Sequence, residues 1–576
     1  MIEDPVETLQ RLAQEKHNEV TTWLANLNPY DRRALFIEVC RALDYEQVRQ
    51  MAERPEHKLP YPDFDLMLRG WNETVVAMLT SDFQEEGIPA RPSTHDSLRV
   101  GRSILHEMGL SSLLRKTASM VRHGMAEIAI EGDTLLIRSL NFATSDHFLD
   151  QIDIGALPKL NESARLAFDT APKSKEQIQR CMEDLVFPWK GAPGVTMVGY
   201  GATPEIDAYF LSATAGQMLD WRNEAGIHPN TDVLGTSGGI LTGITGLLAS
   251  IFLKHIQFVG IGHKKMNDVN FAVSLTLWEP RSDLIDSVTA FIGGDATEVS
   301  RALDKLIVTP NDTRYFAAAE RPYIPLLIQI SNAHVLRPIT SIFRNPLHGA
   351  RMMLEFHSPL SEASFRAPRE AWMRQELNLL FLGTQCQMLS RPAIIKHKGK
   401  TLTDIDAGVY DPDSCCLALF QLKWQDFGAA EVRRQKSRAK NFVSQVDTWT
   451  EKIEAWIADV GLEGVAKTLH LEGNITTVLL FAVGRFVARF NSYGYTHAPS
   501  SVAVCSWPQL SRIRKQLITD VNILQCVYEG VVKERSRVIS VTAIPYEIKI
   551  GDTRLVFENI WNSFEDEGVA IGANCE

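Results

Sequence analysis

Apolar residues recur at helical spacing through Leu9, Leu12, Val20, Trp23 and Leu24, and again through Leu35, Val39 and Leu43, which predicts an α-helical opening region. Further on the period changes: Glu127 to Arg138 (EIAIEGDTLLIR) alternates apolar and polar positions about Gly132-Asp133, the signature of a β-hairpin. Gly and Pro gather between Pro188 and Pro193, and GVTMVGYGA, AVSLTLWEP and IPLLIQIS beyond them read as strands among loops. One uncharged run, Thr236 to Leu253, approaches the length of a membrane span. Its Gly and Thr content and its abrupt end at Lys254-His255 predict a buried helix.

Turn-forming clusters at Arg344-Asn345-Pro346 and His357-Ser358-Pro359 mark a boundary. Beyond it, Arg369 to Leu382 carries an apolar helical stripe through Trp372, Leu379, Leu380 and Leu382, closed by Gly383. Three short strands are expected next, Ile394 to Lys398, Thr403 to Tyr410 and Cys415 to Trp424. The last two are joined by Asp411-Pro412-Asp413, whose aspartates suit a turn better than a ligand role. A helix from Glu431 to about Val460, the strand-like TTVLLFAVGRF and SVAVCSWP, and a helix over Gln509 to Leu517 complete a mixed sheet covered on both faces. A second hairpin turns about Gly551-Asp552 (EIKIGDTRLVF), and its likeness to EIAIEGDT reads as two hairpins sharing one turn chemistry.

The predicted fold class is therefore multidomain α/β. A mainly helical region 1–187 contains the hairpin near 127–138, and a mixed α/β middle domain spans 188–350. A mixed sheet flanked by helices follows over 365–545, then a hairpin end and acidic tail over 546–576.

Composition narrows the function. At 576 residues and 45% apolar content the chain can bury several cores. Its formal charge of -11 excludes wholesale coating of nucleic acid, so any polyanion site has to be local. The cysteines are scattered without C-x-x-C or zinc spacing, so neither a disulfide framework nor a structural zinc is expected. MIEDPVETLQRLAQEKHNEV is charged and lacks the apolar stretch of a secretory signal, which predicts a cytoplasmic protein with no membrane partner.

The chemistry concentrates on the strand Cys415 to Lys423. Leu417 and Leu419 share a face with Gln421 and Lys423, while Ala418, Phe420 and Leu422 take the other. A lysine at the end of such a strand needs an anion or a polar cleft, and Asp404 and Asp406 are expected to share one face of the neighbouring strand. Asp406 and Gln421, with the Leu422 carbonyl, form an oxygen set suited to Mg2+ or Mn2+, with Lys423 beside the metal-bound water. Arg433, Arg434, Lys436, Arg438 and Lys440 follow with no intervening acid, fit for phosphate contact or for a solvated helix face.

Thr403-Asp404-Ile405-Asp406 followed by Phe420-Gln421-Leu422-Lys423 resembles the PD-(D/E)xK nuclease superfamily, and more narrowly its Mrr-like restriction endonuclease branch, with Gln in place of the usual acid. The resemblance covers ~365–540, about a third of the chain. It implies a restriction-endonuclease-like fold and a metal-dependent DNA endonuclease in a prokaryotic restriction or antiphage-defence system, acting as a homodimer or with partner subunits. It further implies Asp406, Gln421 and Asp404 as metal ligands, Glu376 as an additional carboxylate, and Gln445 as a nucleic-acid contact beside the basic run. Because Gln421 is neutral, the alternative is a non-catalytic nucleic-acid-binding or complex-forming subunit on a retired nuclease fold.

A third reading comes from Gly235-Thr236-Ser237-Gly238-Gly239, which matches G-x-S-x-G and resembles the nucleophile elbow of patatin-like acyl hydrolases. The preceding HPNTDVL is too polar for the strand an elbow requires, so Thr236 or Ser237 is expected to cap a helix. The Gly-rich stretch 235–246 lacks the Lys-Ser/Thr of a phosphate-binding loop. His228, His255 and His334 lack metal spacing and read as structural or surface residues.

Overall fold

The computed structural model describes residues 4–52, 58–79, 87–88, 91–140, 145–160, 174–192, 194–389, 391–425, 432–497, 501–517, 521–537 and 539–565. The expected acidic tail lies outside these residues from 566 onwards, as does Glu431. The molecule is a multidomain α/β protein. Its chain forms two compact units, Met1–Ser119 with Ser163–Phe365, and Met120–Glu162 with Arg366–Glu576.

In the first unit the helical opening region and the middle segment share one apolar core. Val20, Phe36 and Trp71 from the N-terminal helices are buried in the same cluster as Leu241, Leu248, Leu327 and Leu347. Helix Tyr61–Met78 meets helix His95–Arg122 at Gly70 and Gly109. A Cβ on Gly70 would lie 1.9 Å from the Leu105 carbonyl oxygen and one on Gly109 1.8 Å from that of Leu66, so only glycine permits this approach. The uncharged run becomes helix Gly238–Lys265, with 67% of its most apolar window buried, which makes it a core helix. A four-stranded sheet runs in the order Leu277–Pro280, His334–Arg337, Leu327–Gln329, Ile307–Val308. The expected strand AVSLTLWEP is only partly a strand. Asn270 caps Val273 N–H at 3.0 Å and turns Phe271–Leu275 into a short helix, leaving Leu277–Pro280 extended.

The second unit is built on a five-stranded sheet, in the order Val502–Ser506, Thr477–Gly484, Cys416–Lys423, Ala407–Asp411, Gln387–Met388. The first three strands are mutually parallel and the remaining neighbours antiparallel. Strand Cys416–Lys423 lies at the centre, buried at every position but Lys423, and alternation divides its side chains. Ala418, Phe420 and Leu422 pack with Met373, Leu377, Leu510 and Val527 on one face, while Leu417 and Leu419 pack with Phe442, Val446 and Trp449 of helix Val432–Leu469 on the other.

The hairpin near 127–138, grouped by sequence with the N-terminal region, belongs to this second unit. Strand Thr134–Ser139 pairs in parallel with strand Thr553–Glu565, so the two similar hairpins form one four-stranded sheet. Helix Ser145–Leu160 is held by charge: Arg489 Nη1 donates to Asp150 at 2.8 Å and Asp153 at 2.9 Å, and Arg512 Nη2 bridges Asp153 at 2.9 Å and Glu534 at 2.6 Å.

Candidate active site

The stretch expected as one strand over Thr403 to Tyr410 breaks at Asp406. Lys400–Ile405 pairs with Ala393–His397 in a hairpin, whereas Ala407–Asp411 joins the main sheet. Asp404 and Asp406 therefore do not share one strand face. Asp404 is exposed on the hairpin, its carbonyl fixed by Trp449 Nε1 at 2.8 Å, and Asp406 is buried at the break.

Register explains what Asp406 meets. Ala407 faces Phe420 in the antiparallel pair, so Asp406, one step earlier, arrives opposite Gln421, and its N–H donates to the Phe420 carbonyl at 3.1 Å. The Leu422 N–H donates to Asp406 Oδ2 at 2.7 Å, and the Gln421 amide nitrogen donates to the same oxygen. Among the described residues Oδ1 accepts no hydrogen bond. Since the N–H and C=O of one strand residue point to the same side, the Leu422 carbonyl lies on the same edge of its strand as the N–H that meets Asp406.

Burial raises the Asp406 carboxyl to about 6, and the charges of Asp404 and Glu370 push the same way, while the Leu422 N–H and the Lys423 ammonium oppose them. Lys423 is half-buried and makes no ion pair among the described residues. One acidic oxygen without a donor, an amide and an unpaired ammonium thus converge at the end of the central strand.

Glu376 is engaged elsewhere, as both its oxygens bind the buried Arg485 guanidinium. That guanidinium lies within 5.8 Å of the ring centres of Trp372, Trp424, Phe486 and Trp507, a packed structural contact. Glu370, six residues earlier on helix Pro359–Leu380, is an acid whose charge reaches Asp406. Sequence reasoning passed over it. Its spacing from Met373 and Leu377, i+3 and i+7, was the available signal, because both of those residues pack on the sheet.

No group of three His, Cys, Asp or Glu side chains among the described residues is arranged to hold a metal. What Asp406, the Gln421 amide and the Leu422 carbonyl offer is an all-oxygen set, complete only with water, which fits Mg2+ or Mn2+ better than a nitrogen- or sulfur-seeking ion. For Gln421 to present Oε1, its amide has to turn over from the donor orientation it holds against Asp406.

Of the basic run, Arg433, Arg434 and Lys440 are exposed on the first turns of helix Val432–Leu469. Lys436 is occupied by the His123 carbonyl at 2.8 Å. Arg438 is half-buried, with Nη1 lacking a partner, and Gln445 is exposed. Asp411 behaves as a turn former: its carboxylate accepts from Asp413 N–H at 3.2 Å and Ser414 Oγ at 2.6 Å. Ser237 caps helix Gly238–Lys265 by accepting from Ile240 N–H at 3.1 Å, and no histidine pairs with it among the described residues. His255 is a buried structural residue between Tyr200 Oη at 3.0 Å and the Ser274 carbonyl at 2.6 Å.

In comparisons with known proteins, no family model, no curated protein and no solved structure matches this chain.

Proposed function

We propose that the second unit is a metal-dependent nuclease that hydrolyses phosphodiester bonds in DNA, with Asp406, Gln421 and Lys423 as its working residues. The observation that carries this reading is the open Asp406 oxygen across from Gln421, with Lys423 on the same strand face. The sheet supports it too. A helix, short strands with Asp406 at the break just before Ala407–Asp411, the Gln-x-Lys strand and then a long helix follow one another much as the helix, strand, strand, strand, helix succession of the resemblance implies.

A bound Mg2+ or Mn2+ would lower the pKa of an attacking water and offset charge on the phosphate. Asp406 would hold it through Oδ1, joined by the Gln421 amide oxygen and the Leu422 carbonyl. Lys423 orients the nucleophile and offsets charge developing on the non-bridging oxygens. Asp404 and Glu370 add negative potential that favours the cation. Arg433, Arg434 and Lys440 contact backbone phosphates. A prokaryotic restriction or antiphage-defence role, a cytoplasmic location and a homodimer or partner-bound assembly belong to the same reading.

Incubating the full chain with circular and linear DNA and Mg2+ or Mn2+ tests it. Cleavage by wild type that Lys423→Ala and Asp406→Ala both lose supports the proposal, and cleavage retained by both removes it. The neutral Gln421 favours one second reading, a nucleic-acid-binding subunit without catalysis. Salt-sensitive DNA binding lost in an Arg433→Ala, Arg434→Ala double variant, with no cleavage under either metal, would select that reading.

A further inference from the structure

The hairpin of strands Ala393–His397 and Lys400–Ile405, which leads directly into Asp406, is apolar on one side and cationic in solvent. Ala393, Ile395 and Ile405 pack in one cluster with Trp449, Ile453 and Trp456 of helix Val432–Leu469. Lys396 and Lys400 are exposed and make no ion pair among the described residues. The hairpin is tied to the helix at two points. At its base Trp449 Nε1 donates to the Asp404 carbonyl at 2.8 Å, and at its tip Asp459 meets His397 Nε2 at 3.2 Å and Lys398 Nζ at 3.6 Å. Positions 449 and 459 are ~15 Å apart along a helix, so the two lysines ride on a braced arm.

The helix continues this charge pattern. Arg434, Arg438, Asn441, Gln445, Lys452 and Asp459 follow at spacings of four, three, four, seven and seven residues, which puts them on one strip. Asp459 is the single acid of that strip, and Lys398 at the hairpin tip offsets it. Asp447, Glu451 and Glu454 stand roughly a third of a turn or more round the helix from it. Lys452 is exposed and likewise makes no ion pair among the described residues. Midway along, Phe442 lies against Gly484, the register neighbour of Lys423, so the strip passes the end of the Gln-x-Lys strand.

We infer that the hairpin and this strip form one phosphate-binding track for duplex DNA, with Lys396, Lys400 and Lys452 holding the backbone to one side of Asp406 and Lys423. From Arg434 to Asp459 the track runs ~38 Å along the helix, close to the ~34–36 Å of one duplex turn. The strip carries no Phe, Tyr or Trp, and neither does the hairpin, so nothing there stacks an unpaired base and the contacts are to a paired backbone. Segregating cations in this way is how a chain of net charge -11 makes a local polyanion site. The inference takes its ligand from the nuclease reading, and its test is read separately from cleavage.

Fluorescence anisotropy of the full chain with a labelled duplex of roughly two turns, in EDTA and over a salt series, keeps catalysis out of the readout. Lys396→Ala with Lys400→Ala is expected to weaken binding about tenfold and to lower the log-log salt slope by about 2, and Lys452→Ala to lower it by about 1. Lys467→Ala, exposed beyond the break at Gly461, removes the same charge away from the track and should change neither. A single strand of the same length should bind about tenfold more weakly than the duplex. Affinity and slope unchanged in the double variant, an equal effect from Lys467→Ala, a single strand bound as tightly as the duplex, or no duplex binding at all would each overturn the proposal. Cleavage lost in Asp406→Ala beside lysine variants that bind normally would remove this track and leave the nuclease reading, whereas hairpin-dependent binding without cleavage under Mg2+ or Mn2+ would do the opposite.

Discussion

Asp44 in the first unit and Asp406 in the second are both buried carboxyls raised by desolvation to about 6. Their surroundings differ in one respect. Asp44 accepts from Thr276 Oγ1 at 2.7 Å, Ile339 N–H at 3.1 Å, and Thr340 N–H and Oγ1 at 2.9 and 2.7 Å, so both its oxygens are occupied. Asp406 receives its two donors on a single oxygen. A saturated carboxylate ties segments together, whereas a half-saturated one has an oxygen left for something else. Burial and a shifted pKa are common to both, so the hydrogen-bond count distinguishes them.

The largest effect should come from the open carboxylate and its neighbour. On the proposed reading Asp406→Ala or Lys423→Ala is expected to lower DNA cleavage on the order of 10³-fold, with Lys423→Ala leaving the melting temperature nearly unchanged and Asp406→Ala costing about 1–3 kcal/mol for the Leu422 N–H that loses its acceptor. A large loss of stability in either variant would place Asp406 with Asp44 as a structural group. Asp44→Ala should do the reverse, destabilising the first unit by on the order of 3 kcal/mol, because several buried donors lose their acceptor together; chemical denaturation measures this.

A smaller effect sharpens the contrast. Gln421→Glu adds a second carboxylate beside Asp406, so the Mg2+ concentration for half-maximal cleavage should fall about tenfold, as affinity follows ligand charge. Unchanged metal dependence would remove Gln421 from the ligand set.

The smallest effect is on pH. Both folded carboxyls hold a proton more tightly than an unfolded aspartate near the usual 3.8, so the stability each confers is greatest below about pH 4 and declines as pH rises through about 6. Asp44→Asn should flatten that decline in a stability profile. On the proposed nuclease reading cleavage should run the other way, rising through about pH 6 as Asp406 ionises, with a midpoint that moves down as Mg2+ increases. A midpoint indifferent to Mg2+ would separate that proton from the metal site.

The face division of the central strand was legible because alternating Leu, Ala and Phe leave Gln421 and Lys423 nowhere else to go. The long apolar helix and the Ser237 cap were legible for equally local reasons. Other features were not. The break at Asp406 is imposed by two different pairing partners, one on each side, and no propensity records it. Strand Gln387–Met388 is too short to show a period. Glu376 looked available because its partner, Arg485, lies 109 residues away. The short helix Phe271–Leu275 was hidden beneath Val and Leu, which suit either state.

The joining of the two hairpins bears on how the protein is made. Ser139 and Asn559 exchange hydrogen bonds across 420 residues, so strand Thr134–Ser139 leaves the ribosome long before the strand that covers its edge exists. At translation rates of ~5–20 residues per second, that interval is on the order of 20 to 80 s. Over such a period the edge of strand Thr134–Ser139 stays open to pairing with other chains until strand Thr553–Glu565 arrives to cover it.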